Sequence, residues 1–326
     1  MLEAPTAVFS ISLADIPYLQ FIQLSNVDNQ VLQSIMHLAK KLALGTAQFG
    51  LDYGVSNKSG KVSMSEMSEI LEQAQKAGIN TLDTALGYGS AESQLGSAGM
   101  SKWRIISKIP AIPNKPDDVW QWMESSLDLS LSRLQVEKIS GLLLHHGADL
   151  LGNNGDLVFN CLFKLKLDER IEKIGVSIYN FDELATIVDR YEIDLIQAPF
   201  NCFDQRLLQK GLLDMLQNKG IEVHIRSVFL QGLLLMPRDS RPAYFDRWQP
   251  LWDNWENWRA NYGIDPIEAC LGLPLSTLGI DRTLIGVDSL PQLSEILARL
   301  NDKPPGLYDR LKSNDIELIN PSIWKI

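Results

Sequence analysis

Eight short β-rich runs, each followed by a stretch of helical periodicity, limit what this chain can fold into more than any other feature. The runs are Leu42–Gly45, Thr81–Ala85, Trp103–Pro110, Gly141–His145, Ile171–Ser177, Leu195–Asn201, Glu222–Ser227 and Arg282–Val287. Several are apolar almost throughout, as strands of a parallel sheet covered on its outer face must be. Between the first two, Met64, Met67, Ile70, Leu71 and Ala74 repeat at three and four residues. Ser63 and Glu66 give that segment a capping-box start, and Gly78 and Asn80 end it. Comparable helical stretches are expected at 91–98, 116–133, 156–168, 181–190, 206–218, 265–277 and 290–300. Eight such repeats predict the α/β class and a (β/α)8 TIM barrel, eight parallel strands ringed by helices. An open doubly wound sheet binding a dinucleotide would need G-x-G-x-x-G after its first strand, and Leu42–Gly45 is followed by no such turn.

Two stretches fall outside the repeat. Residues 1–35 fit no strand–helix unit, and Met36 stands just ahead of Lys40-Lys41 and the first run. The expectation is an N-terminal extension with the native start at Met36, then one barrel domain over 36–326. An insertion at 236–262 carries Trp248, Trp252, Trp255 and Trp258 at spacings of four, three and three. That spacing predicts a helix burying its tryptophan face. A lid or substrate wall is the second reading, with Phe203 and Trp324 as further wall candidates.

Composition narrows the function. The 326 residues include 30 basic and 40 acidic side chains, a net charge of −10. That balance opposes binding along a nucleic-acid backbone or to an anionic membrane surface. Cys161, Cys202 and Cys270 are odd in number and widely spaced, so neither a disulfide framework nor a thiolate zinc site is expected. No apolar run reaches 18 residues, and the first residues lack the basic flank of a signal peptide. The expected location is the cytoplasm. The expected partner is a small molecule, and nothing in the chain specifies an oligomeric state.

Catalytic side chains of such barrels sit at the C-terminal strand ends. The second run ends at Asp83-Thr84 with Tyr88 five residues beyond Asp83, the third at Ser107-Lys108, the fourth at His145-His146. Singly, each has a bland reading: a turn cap, a snorkelling lysine, a turn tyrosine, a satisfied histidine. Together they suit hydride reduction of a carbonyl. Asp83 and Lys108 can form a buried ion pair on neighbouring strands. The ammonium would lower the pKa of Tyr88 and make it a better acid. His145 could donate to the carbonyl oxygen as that atom gains charge. A metal site at His145-His146 is disfavoured, since adjacent strand residues point to opposite faces and no third ligand presents itself.

The segment Asn80 to Glu92, with Asp83 and Tyr88 inside it, resembles the strand-two signature of the aldo-keto reductases. Leu44 to Gly50, Ser107-Lys108, Leu142 to His145, Gly175 to Ser177, Gln197 to Asn201, Leu230 to Gly232 and Leu284 to Ser289 follow in that family's order. The resemblance spans roughly residues 40–300. It implies a (β/α)8 barrel binding NADP(H) without a Rossmann fingerprint, and a carbonyl substrate. It implies Tyr88 as general acid, tuned by Lys108 and Asp83, with His145 orienting the carbonyl. For the cofactor it implies Ser177 and Gln197 at the carboxamide and Gly45 beneath the ring. Arg226, Ser227, Leu230, Gln231 and Gly232 would follow along the strand-seven loop. Gly286, Asp288, Ser289 and Gln292 would lie at the adenosine end, near a helix start suited to phosphate.

Three departures mark this chain. Arg226 stands where many members stack an aromatic on the nicotinamide; its planar guanidinium can stack, or its charge can meet a phosphate or an acidic substrate. Ile178 follows Ser177 where an asparagine is usual. The basic cluster for a 2′-phosphate is thin: Asp288 and Gln292 are present, and the next arginine downstream is Arg299. NAD(H) therefore stays open beside NADP(H). A cofactor-sensing barrel with little turnover is the alternative from another class; a barrel isomerase or hydrolase lacks paired carboxylates or metal ligands at the mouth.

Overall fold

A computed structural model of the protein describes residues 29–112, 118–301, 306 and 308–326. The strands are β1 Leu42–Gly45, β2 Thr81–Asp83, β3 Arg104–Ile109, β4 Gly141–Leu144, β5 Ile174–Ser177, β6 Leu195–Pro199, β7 Glu222–Arg226 and β8 Arg282–Gly286. Each lies inside its expected run. They pair in parallel in chain order, and β8 returns to β1 in the register Gly45↔Gly286, which closes the barrel. Successive side chains alternate between the barrel interior and the helix layer. Ile106, Leu143 and Leu195 form a small apolar cluster of their own, while Leu42, Leu44, Leu82, Val223 and Ile225 join the large core cluster.

The helices are α1 Asn29–Ala39, α2 Ala47–Gly50, α3 Met64–Ala77, α4 Ala91–Ala98, α5 Val119–Leu134, α6 Gly155–Leu167, α7 Phe181–Arg190, α8 Leu212–Asn218, α9 Gln249–Tyr262, α10 Pro266–Ser276, α11 Leu290–Ala298 and α12 Ile316–Ile319. Residues 1–28 of the expected extension lie outside the described residues, and α1 runs across the expected start at Met36. In α3 the Ser63 side chain accepts from the Glu66 amide, and Met67, Ile70, Leu71 and Ala74 are buried. The Glu66 carboxylate accepts from the Leu290 amide at the head of α11, tying two helices where a capping box would have tied one. The helix expected over 206–218 is broken: Arg206–Gly211 is a 3-10 segment with non-helical φ/ψ at Gln209 and Lys210, and α8 starts after Gly211.

The insertion corrects one reading. In α9, Trp252, Trp255 and Trp258 are buried, with Trp252 against Phe203 at 5.0 Å and Trp258 against Tyr308 at 4.9 Å. Trp248 donates its indole N–H to Asp315, and Trp324 packs on Phe245 at 4.8 Å. These rings face one another and the C-terminal segment. None of them, nor Phe203, lines the cavity at the barrel mouth; the insertion reaches it through Met236, Pro237 and Ser240. The tryptophan face is therefore core, because stacked aromatics gain more from mutual burial than from lining a wet cleft. Among the described residues no helix is long and apolar enough to cross a membrane. Trp252→Ala is expected to cost about 3–5 kcal/mol in urea unfolding while leaving KM for a carbonyl substrate in place; a KM change without lost stability would restore the wall reading.

Candidate active site

The barrel mouth gathers the four residues expected to carry chemistry. β2 ends at Asp83, and the turn after it delivers Tyr88, whose amide bonds back to the Ala85 carbonyl at 2.9 Å. Two glycines let this turn settle on α2. A Cβ on Gly50 would sit 1.9 Å from the Tyr88 carbonyl oxygen, and one on Gly89 (φ 56) 2.4 Å from that of Gly50. Downstream, the buried Glu92 accepts from Ser107 and Ser130, which pins the start of α4 to β3 and α5. Glu92 had no role assigned from sequence, although it closes the same motif.

Lys108 rises from β3 into the interior, where its Nζ donates to Asp83 Oδ1 at 2.6 Å and to the Thr84 carbonyl at 2.9 Å. Both partners are almost wholly buried, at 1% and 4% side-chain exposure. The other Asp83 oxygen accepts from Gln197 Nε2 at 2.6 Å. Gln197, expected at the cofactor carboxamide, thus also braces the ion pair. The ammonium lies 5.1 Å from the Tyr88 ring centroid, and the His145 ring meets Tyr88 edge-on at 6.0 Å. His145 lines the cavity, while His146 is exposed.

The electrostatics depart from expectation at Tyr88. Burial, and next the Asp83 carboxylate, hold its phenol well above the ordinary tyrosine value, and Arg226 pulls it back. The lowering expected from Lys108 is not what decides the shift: burial and the Asp83 carboxylate outweigh it. Burial also lowers Lys108, against the opposing pull of Asp83. His145 is lowered to about 3 by burial first, then by Lys108, His146 and Arg226. Near neutral pH the site therefore presents a neutral phenol and a neutral imidazole, both able to donate.

A cavity of about 670 Å³ runs from Asp83, Tyr88 and His145 past Gly45 and Gly286. Those glycines are partners in register, so bare backbone forms the wall there. A Cβ on Gly286 would meet the Gln48 side chain at 2.4 Å. The wall continues through Ser227, Gln231 and Gly232, where a tight loop holds positive φ at Ser227, Leu230, Gln231 and Gly232. It ends at Asp288 and Gln292, where Asp265, Glu295 and Lys58 also line it. A flat-walled cleft of this size suits an extended cofactor beside a small substrate. Three expected cofactor residues, Ser177, Leu230 and Ser289, and the catalytic candidate Lys108 do not line the wall. Ser177 is buried beside Gln197, Leu230 lies in the core, Ser289 caps α11, and the Lys108 ammonium sits behind Asp83.

Residues 41–305 match the model of the aldo/keto reductase family. The chain belongs to that family. A D-threo-aldose 1-dehydrogenase of a Pseudomonas species is 26% identical over 298 residues, 78% of this chain and 89% of that protein. An NADH-specific methylglyoxal reductase of Escherichia coli K12 is 24% identical, over 80% and 90%. In fold, an aldo-keto reductase from Bacillus halodurans in its holo form superposes with a TM-score of 0.66 at 19% identity, covering 83% of this chain and 89% of that one.

Two of this member's departures, Arg226 and Ile178, converge on one spot. Ile178 turns outward, against Gly147 and Ile187, so the next residue, Tyr179, faces the cavity. Arg226 Cζ lies 3.8 Å from the Tyr179 ring centroid, and its Nη2 donates to the Ile178 carbonyl at 2.8 Å. Tyr179 was not foreseen; strand alternation counted on from Ser177 was the available signal. Tyr53, from the loop after β1, also lines this part and accepts from Gln231 at 3.2 Å.

The lowered His145 sets a pH dependence. An unfolded histidine takes its proton below about 6.5, whereas the native one resists until about 3. The unfolded state binds more protons across that window, so stability falls as pH drops through it. Urea unfolding of wild type and His145→Gln between about pH 4 and 7 is expected to show a steeper acid decline for wild type; equal slopes would place the imidazole in an ordinary, solvated setting.

Proposed function

We propose that this chain reduces an aldehyde or ketone to the alcohol, with Tyr88 as general acid. The observation that carries this reading is the convergence of a neutral phenol, a neutral imidazole and a buried Lys108–Asp83 pair beside one cavity with a backbone wall. Family membership and reductase-named relatives support the oxidoreductase class.

When bound, the nicotinamide cofactor supplies the hydride. Gly45 leaves room for its flat ring, Gly286 keeps the wall bare toward the adenosine end, and the Ser227–Gly232 loop and the head of α11 offer backbone and polar groups to its anionic middle. His145 donates toward the carbonyl oxygen and fixes the carbonyl in line. As negative charge gathers on that oxygen, it becomes a stronger base than phenolate, so even a raised Tyr88 is acid enough to protonate it. Before transfer, Lys108 and Asp83 face the neutral phenol as a contact pair without net charge, so the proton stays on Tyr88 until the oxygen takes it.

NAD(H) is the cofactor form the far end of the cavity favours. Asp265, Asp288 and Glu295 line it, and Arg299, the arginine available downstream, is held by Asp265 at 3.1 Å and Glu295 at 3.2 Å. A 2′-phosphate would find Lys58 there among carboxylates, whereas a ribose hydroxyl can donate to one. NADP(H) is the competing form. The three cysteines are buried and free, in keeping with a reducing cytoplasm.

Tyr88→Phe is expected to cut kcat on a good aldehyde by about 10²–10⁴-fold, while fluorescence titration shows the cofactor still bound, with NADH at least as tight as NADPH. Wild-type turnover in that variant would remove Tyr88 from the chemistry. Tight cofactor binding with no turnover on any carbonyl would favour a sensor instead.

A further inference from the structure

Arg226 is a cation without an anion. Among the described residues no carboxylate lies within ion-pair reach of it. Its contacts are Nη2 to the Ile178 carbonyl at 2.8 Å, Nη1 to Ser227 Oγ at 3.5 Å, and one face on Tyr179. A guanidinium has five N–H donors. Two contacts use at most two of them, and the group lines the cavity. Arg206, Arg241 and Arg299, also half-buried, pair with Asp204, Glu256 and Asp265, whereas Arg104, Arg133, Arg259 and Arg282 have no ion pair among the described residues but do not line the cavity. What sets Arg226 apart is that it is the unpaired arginine lining the cavity, which in a chain of net charge −10 points to an anion that arrives from outside.

The setting is ordered for that purpose. The Tyr179 ring and the Ile178 carbonyl fix the guanidinium plane, so little entropy is lost when its free edge is used. Tyr53 accepts from Gln231, which leaves its own O–H free to donate. The charge of Arg226 also reaches the reaction centre: it acts on Tyr88, Lys108 and His145 alike. The anion it would meet therefore sits beside the reacting carbonyl, and not at the Asp288 end.

We infer that the substrate of this reductase is a carbonyl compound carrying a carboxylate, held in fork-to-fork contact by Arg226 with Tyr179 and Tyr53 beside it. This rests on the carbonyl-reduction reading above. A planar carboxylate matches the edge of a guanidinium bidentately, which a neutral aldehyde cannot do. The positive charge would bind substrate and alcohol product alike, since both keep the carboxylate, so its effect falls mainly on KM.

The test compares size-matched pairs on the cofactor-loaded protein: glyoxylate against methylglyoxal, and succinic semialdehyde against butanal. In wild type, kcat/KM for at least one anionic member should exceed its neutral partner. In Arg226→Gln that ratio should fall about 10- to 100-fold, and Arg226→Lys should restore part of it. Taking the ratio cancels any general loss in the variants. A wild-type ratio near one in both pairs, or a ratio untouched by Arg226→Gln, overturns the inference. So does a variant whose ratio holds while its Kd for NADH weakens, which would assign the guanidinium to cofactor phosphate. If no aldehyde is reduced at all, the reductase reading fails by itself. Calorimetry of 4-hydroxybutyrate against 1-butanol then decides the anion site: carboxylate binding lost in Arg226→Gln sustains it, and equal binding of the two overturns it.

Discussion

A buried ion pair governs this barrel mouth. Taking an ammonium and a carboxylate out of water costs several kcal/mol each, and the cost is met only where every remaining donor and acceptor finds a partner. Lys108 and Asp83 come close to that condition by drawing on three strands and a turn: both carboxylate oxygens accept, and two of the three ammonium hydrogens are donated. Lys108 comes from β3, Asp83 from β2, Gln197 from β6, and the Thr84 carbonyl from the turn that leads to Tyr88. The pair itself joins neighbouring strands, but its Gln197 brace needs the curled barrel, which brings β6 across to β2. The site and the fold are thus one construction.

That pair also shapes the field around Tyr88. A lone lysine beside a phenol would favour phenolate. Here burial and Asp83 raise Tyr88 while burial and Lys108 lower His145, so both remain uncharged donors. Beside the reacting groups the unpaired positive charge is Arg226, parked on Tyr179 at the end of β7. Loops after β1, β5, β7 and β8 supply the rest of the cavity, which is where barrels of this kind vary their specificity without disturbing the strands.

Much of this was legible in the sequence, for physical reasons. Strands buried on both faces write themselves as apolar runs, and the α3 stripe of Met67, Ile70 and Leu71 writes a helix face. Asp83, Tyr88, Lys108 and His145 were visible because they are polar residues at the ends of apolar strands. Less was legible where partners are distant in the chain. Gln197 meets Asp83 across 114 residues, and nothing local announces it. The direction of the Tyr88 shift depends on that same contact network. The tryptophans of α9 read equally well as wall or core, since an amphipathic spacing says that a face is covered but not by what. The break at Gly211 follows from backbone conformation that the apolar pattern over 206–218 conceals.

The central claim is that the Lys108–Asp83 pair is kept for chemistry and not for stability. Single-turnover hydride transfer in the double variant Asp83→Asn/Lys108→Met, checked for folding beside each single variant, tests it most directly. Each single change should cost about 3–5 kcal/mol by stranding its partner. The double variant should recover most of that loss and still transfer hydride far more slowly than wild type. A folded double variant that transfers hydride at the wild-type rate would contradict the claim.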